Sequence, residues 1–222
     1  MSQANLFDRS WARFGKVFPK LASMAVTPIQ TSIDIYKNGR LNADLFMFLM
    51  TSMVLGSIIY TISVTGHSMI DLAKNISSAC LFVISNWIIV MSIVYFLCGL
   101  FSKPSSPKGT ITLILFSLAF CYVAATAITA FLAPVIAAIG GGHKYGEEGY
   151  KGLTITLYMV VKFVITTVYL TVALGVPYKI FLAVRAAIAS LTWLVIGAVQ
   201  VAVWVMNGWL LDGPLGCCGV GK

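Results

Sequence analysis

Acidic side chains are scarce in this 222-residue chain: it has seven Asp and Glu against fifteen Lys and Arg, with two His. Charged residues together make up 10% of it, where a water-soluble domain has about 25%. A chain so poor in charge cannot cover a surface that faces water, so lipid is the expected solvent. Cysteine is sparse and poorly placed for redox work. Cys80, Cys98 and Cys121 lie inside apolar runs and read as small hydrophobes. Cys217 and Cys218 are adjacent, and neighbouring cysteines rarely bridge because the ring is strained. No CxxC pair occurs. His67, Asp71, His143, Glu147 and Glu148 match no ligand spacing such as HExxH, so neither metal nor cofactor is expected. The Gly140–Gly142 run lies outside any strand–helix pattern and is not a phosphate loop. The first 20 residues are basic and lack an apolar h-region, so no cleavable signal peptide is expected.

Apolar length is what the chain has in quantity: 59% of its residues are hydrophobic. A run of about 20 apolar residues crosses a bilayer, and five runs qualify, at about 45–63, 76–100, 111–139, 153–173 and 180–205. The expected fold class is all-α: a polytopic membrane protein with five transmembrane helices, preceded by a basic amphipathic N-terminal helix. Residues 1–40 form the N-terminal segment, 41–210 the bundle and 211–222 a short outward tail. Gly175 and Pro177 break the last two runs into a hairpin. Residues 64–75 read as a short, fairly polar loop, FSKPSSPKGT as a solvated turn and 140–152 as a glycine-rich connector. Pro134 is expected to bend the outer end of the third span.

Ahead of the first span, Phe7, Trp11, Phe14, Phe18 and Leu21 recur at steps of four, three, four and three, which is one helix face. Arg9, Arg13, Lys16 and Lys20 fall largely off it. Such a helix suits the headgroup plane or a face of its own bundle or of a partner. Pro19 should kink or end it near Phe18. Thr27-Pro28 separates it from the next segment, Asn38-Gly39 signals a turn, and Asn42 or Asp44 can cap the first span.

Small residues at helical spacing let helices approach closely. Ser52 and Gly56 make one such pair. Ser117, Cys121, Ala125, Thr129, Ala133 and Ala137 form a ridge, and Ala183, Ala186, Ser190 and Gly197 a further face. Asn86 lies in mid-span, where an amide ordinarily bonds a neighbouring helix. Trp204 and Trp209 suit an aromatic belt. With five spans, Arg9, Arg13, Lys16, Lys20, Lys37, Arg40, Lys103, Lys108, Lys179 and Arg185 share one side, against Lys74, Lys144, Lys151 and Lys222 on the other. That bias puts the N-terminus on the cytoplasmic side and the C-terminus outside. The basic residues lie in blocks between apolar runs, which disfavours a nucleic-acid partner.

Lys162 is the one charge near mid-span. It lies nine residues beyond Leu153, about 14 Å along a helix and close to the midplane of a core about 30 Å thick. A central lysine costs about 2.5–3.5 kcal/mol on insertion scales. No Asp or Glu occurs in any of the five runs. The open options are snorkelling, deprotonation, hydrogen bonds to Asn86, Thr129 or Gln200, an acid on another chain, or a direct transport role.

Two stretches, YFLCGLFSKPSSPKGTITLILFSLAFCYV (95–123) and VYLTVALGVPYKIFLAVRAAIASL (168–191), resemble the Yip family of five-span membrane proteins over roughly residues 28–205. The first looks like that family's passage from span two into span three, the second like its last hairpin. The acidic-aromatic-glycine-proline motif of the eukaryotic members is missing. The resemblance implies a non-enzymatic protein working by helix packing and recruitment, in a bacterial inner membrane or an organelle membrane. The expected partners are membrane lipid, other integral membrane proteins or a second copy. The resulting expectation is a non-catalytic scaffold or accessory subunit. The alternatives are a channel or transporter using Lys162, and a subunit of a larger respiratory, photosynthetic or secretion complex. A lipid-acting enzyme around His67 and His143 has the least chemistry behind it.

Overall fold

The computed structural model describes residues 11–39, 41–65, 69–139, 148–195 and 198. Among the described residues every regular element is helical. In chain order these are α1 (Val17–Val26), α2 (Pro28–Asn38), α3 (Ala43–Thr65), α4 (Met69–Phe101), α5 (Pro107–Ile139) and α6 (Glu148–Ala173), followed by the apolar α7 (Leu182–Val195). Four contain a stretch long and apolar enough to cross a membrane: Ala43–Ser63 in α3, Val83–Phe101 in α4, the whole of α5, and Gly152–Ala173 in α6. The described part of α7 is about 21 Å long at 1.5 Å per residue, less than a bilayer core of about 30 Å.

Local chemistry accounts for most of the boundaries. A helical turn at 11–14 breaks at 15–16, and α1 then runs on through Pro19. The break falls upstream of the expected place at Phe18. A proline ring clashes with the carbonyl four residues back, here that of Gly15, and proline itself is tolerated in a first turn, where Pro19 sits. Pro28 opens α2 at its first position, where its missing N–H is no loss. Asn42 caps α3: its Oδ1 accepts from the Asp44 and Leu45 N–H groups at 3.2 and 3.1 Å. The loop expected up to residue 75 is a correction, because α4 already begins at Met69. The run MIDLAKN holds neither glycine nor proline and several good helix formers, so nothing in it stops the helix. α5 continues through Pro134 to Ile139.

α5 is the axis of the bundle. It packs most extensively against α6 and α3, and also against α2 and α4. Its ridge of Ser117, Cys121, Ala125, Thr129, Ala133 and Ala137 is buried along its whole length. At one end Ala133 and Ala137 cluster with Tyr150, Leu153 and Leu157 of α6. In the middle the Cys121 thiol points at the Ile165 carbonyl, 4.0 Å away. Opposite, α3 presents buried Ser52 and Gly56. A Cβ on Gly56 would collide with the Tyr122 ring of α5, so glycine is what permits this approach.

α2 closes one end of the bundle. The Tyr36 hydroxyl lies 2.5 Å from the Ser105 hydroxyl and accepts from the Ser106 N–H at 3.0 Å. The Tyr36 carbonyl lies against Gly109, where any Cβ would strike it. These contacts bring the N-terminal segment and the α4–α5 loop to the same end, and the α6–α7 turn joins them, as described below.

Candidate functional site

Lys162 is buried, 8% exposed, on the face of α6 turned toward α7. Its ammonium lies 4.7 Å from the centroid of the Trp193 ring and 5.4 Å from that of Tyr158. Both rings are themselves buried. A cation within about 6 Å of an aromatic face is attracted by the ring quadrupole, most strongly by tryptophan. Tyr158 is one turn before Lys162 on α6, while Trp193 comes from α7, so the lysine joins two helices. Tyr60 of α3 extends the cluster, its ring 4.9 Å from Tyr158. Beyond it, Trp87 of α4 meets Tyr122 edge-on at 6.2 Å. The Tyr122 and Ser57 hydroxyls are 3.0 Å apart, and the Cys80 thiol donates to Ser57 Oγ at 3.7 Å.

Composition had offered Lys162 three polar partners. Thr129 is buried on α5, and its hydroxyl has no hydrogen-bond partner among the described residues. Asn86 is buried on α4. Gln200 lies outside the described residues. The seat is aromatic rather than hydrogen-bonding, which polar composition does not signal. The step of four between Tyr158 and Lys162 was the available signal.

The four last carbonyls of a helix lack intrahelical partners, and the end of α6 satisfies each of them. Leu170 accepts from the Leu174 N–H at 2.8 Å, Val172 from Gly175 and Ala173 from Val176, both at 3.1 Å. Thr171, left over, accepts from Arg185 Nη1 of α7 at 3.0 Å. A cation at a helix C-terminus also complements the helix dipole. Gly175 makes room, since a Cβ there would collide with the guanidinium. Arg185 Nε is buried without a hydrogen-bond partner among the described residues. Burial raises the Tyr178 hydroxyl in the same turn above its ordinary pKa of 10.0.

The inward face of α7 departs from the expected small-residue face. Ile188, Ala189, Thr192 and Trp193 are buried, whereas Ala183 is exposed and Ala186 and Ser190 are half-buried. Arg185 on Thr171 and Trp193 on Lys162 together fix the rotation of α7, and the small residues fall to one side. Gly197 lies outside the described residues.

Near the N-terminus, Val17, Leu21 and Met24 turn toward the bundle, with Val17 and Met24 buried. Of the aromatic stripe, Phe14 is half-buried while Phe18 and Trp11 are exposed. Phe14 and Phe18 line a shallow apolar groove with Met50, Val54 and Ile58 of α3. Arg13 pairs with Asp44 at 3.2 Å, and Lys16 is exposed. The Lys20 ammonium sits 5.7 Å from the Phe116 centroid. Burial lowers its pKa below 10.5, opposed by the charge of Asp34. Phe7 and Arg9 lie outside the described residues, as do His67, His143, Glu147, Cys217, Cys218, Trp204 and Trp209.

No group of three or more metal-ligating side chains converges among the described residues. No protein-family model, no curated protein and no solved structure matches the chain.

Proposed function

We propose that the chain is a non-catalytic integral membrane scaffold or accessory subunit of the Yip type. In this reading five helices cross the bilayer, and α7 belongs to the fifth. The N-terminus lies on the cytoplasmic side and the C-terminus outside, in a bacterial inner membrane or an organelle membrane. The observation that carries the reading is the seat of Lys162. The one charged side chain near mid-span is enclosed by two rings of its own chain, and it serves to clasp α6 to α7. Among the described residues its nearest neighbours are buried aromatic side chains, Tyr158 and Trp193. Two further features support recruitment. Most outward positions on α4, α6 and α7 are apolar, among them Ile88, Ile89, Phe96, Val164, Val168, Leu191 and Leu194. Trp11 and Phe18 stand exposed beside the basic side chains of the N-terminal helix, as an interfacial helix requires.

The test is purification from native membranes in a mild detergent, followed by light scattering and mass spectrometry of what comes with the chain. A second copy or another membrane protein at fixed stoichiometry is the expected result. A lone monomer that brings nothing with it overturns the proposal. A channel or transporter is the second reading, favoured by the presence of an intramembrane cation at all. It requires solute flux in proteoliposomes that Lys162→Leu abolishes.

A further inference from the structure

A cleft of about 640 Å³ opens between α2, the end of α6 and the start of α7. Its walls are apolar, from Ile29 and Ile33 of α2 to Leu182 of α7, and two cations, Lys37 and Arg185, reach it. No carboxylate lines it among the described residues. The one ion pair among the described residues, Arg13 with Asp44, lies elsewhere, so neither cation is neutralised by a described acid. Arg185 is held in place from behind: Nη1 donates to the Thr171 carbonyl, and Gly175 leaves the guanidinium its space. Its Nε is buried with no hydrogen-bond partner among the described residues. Guanidinium geometry matches the oxygens of a phosphate, and a lysine adds a point charge beside it. The volume falls within the usual range for a small-molecule site, and apolar walls beside a cationic pair fit an amphiphile better than a free ion.

Placement agrees with this chemistry. The cleft lies at the level where α6 ends and α7 begins, the end of the bundle that gathers the N-terminal segment and the α4–α5 loop. In a membrane this is the headgroup level on the lysine- and arginine-rich side. Basic pockets between helices on that side accept anionic lipid headgroups.

We propose that the cleft binds the phosphate of an anionic phospholipid, with Arg185 as the preset fork and Lys37 as the second cation, while the acyl chains run along the apolar wall. The inference rests on the helices spanning a membrane and is independent of any scaffolding role. The probe is dioleoyl phosphatidylglycerol added to the full-length chain in neutral detergent micelles, with binding followed by native mass spectrometry and by melting temperature. The controls are dioleoyl phosphatidylcholine, glycerol 3-phosphate and inorganic phosphate. Phosphatidylglycerol should bind in preference to phosphatidylcholine. Arg185→Gln should weaken it by roughly tenfold to a hundredfold, the effect of losing a charged hydrogen-bond pair. Lys37→Gln should weaken it severalfold. Arg185 also caps α6, so Arg185→Gln is read alongside Lys37→Gln, an exposed change, and alongside Arg185→Lys, which keeps the charge and loses the fork. Equal binding of the two lipids overturns the proposal, as does binding untouched by Lys37→Gln and Arg185→Lys. Capture of glycerol 3-phosphate or inorganic phosphate as tightly as the lipid also overturns it, in favour of a soluble-anion site. Flotation with phosphatidylcholine vesicles checks membrane insertion separately, so failure of the spanning reading is distinguishable from failure of the lipid site.

Discussion

If Lys162 is a clasp, the energy of its seat is measurable as a coupling with Trp193. A lysine at mid-bilayer costs about 2.5–3.5 kcal/mol, while a desolvated cation over an aromatic face recovers about 2 kcal/mol or more. With Trp193 at 4.7 Å and Tyr158 at 5.4 Å, the two contributions nearly offset. Lys162→Met, which keeps length and removes charge, should therefore leave stability within about 1 kcal/mol of the parent. Trp193→Leu should behave differently in the two backgrounds. In the parent it removes packing and also strips the ammonium of its nearer ring. In the Lys162→Met background it removes packing alone. The difference, isolated by a double-mutant cycle, should be about 1–2 kcal/mol. The assay is reversible unfolding in mixed micelles, with the four proteins in one detergent at one concentration. Coupling below about 0.5 kcal/mol, the level at which independent sites add, would refute the clasp. It would instead mean that the side chain snorkels or that the rings merely pass nearby.

Four other outcomes follow from the packing. Gly175→Ala should displace Arg185 from the Thr171 carbonyl and cost about 1.5–3 kcal/mol; adding Arg185→Gln should cost little more, and full additivity of the two in unfolding measurements contradicts the cap. Gly56→Ala drives a methyl into Tyr122 and should cost about 1–3 kcal/mol, with loss of the Ser57 contact visible as a change in tyrosine fluorescence; an unchanged melting temperature contradicts the close approach. Burial holds Lys20 below 10.5 in the folded chain, so the unfolded form binds the proton more tightly and docking of α1 should strengthen as pH rises toward 10.5. Lys20→Gln should flatten that rise, read as the difference between the two proteins in protease protection of residues 11–26, and identical pH profiles reject it. Finally, single cysteines at Lys103 and Lys179 should react with an impermeant maleimide from the same side as a tag on the N-terminus, and labelling from opposite sides breaks the arrangement.

Element existence was legible because apolar length is a long-range, redundant signal: the starts of α3, α5 and α6 fall within a few residues of the runs read from hydropathy. The ridge on α5 was legible for the same reason, since a step of four repeated over six residues leaves one face small. What escaped were features set by single partners distant in sequence. The 69–75 segment looked like a loop because it is polar, yet polarity does not break a helix when glycine and proline are missing. The face of α7 could not be chosen from spacing alone, because Arg185 and Trp193 determine it through Thr171 and Lys162. Lys162 itself stands out in the sequence, while its seat depends on a tryptophan 31 positions further along the chain, a distance no local pattern reports.

The burial of α5 has a consequence for how this chain can drift over generations. Its span is 61% buried, against 39% or less for the three other long helices. Ala125, wholly enclosed, has atoms on every side, while Phe131, 73% exposed, meets only what surrounds the bundle. Divergent copies of this chain should therefore exchange one bulky apolar residue for another freely at Phe131 and hold to alanine, serine or glycine at Ala125, so that the record of ancestry is written along the least chemically distinctive side chains the molecule has.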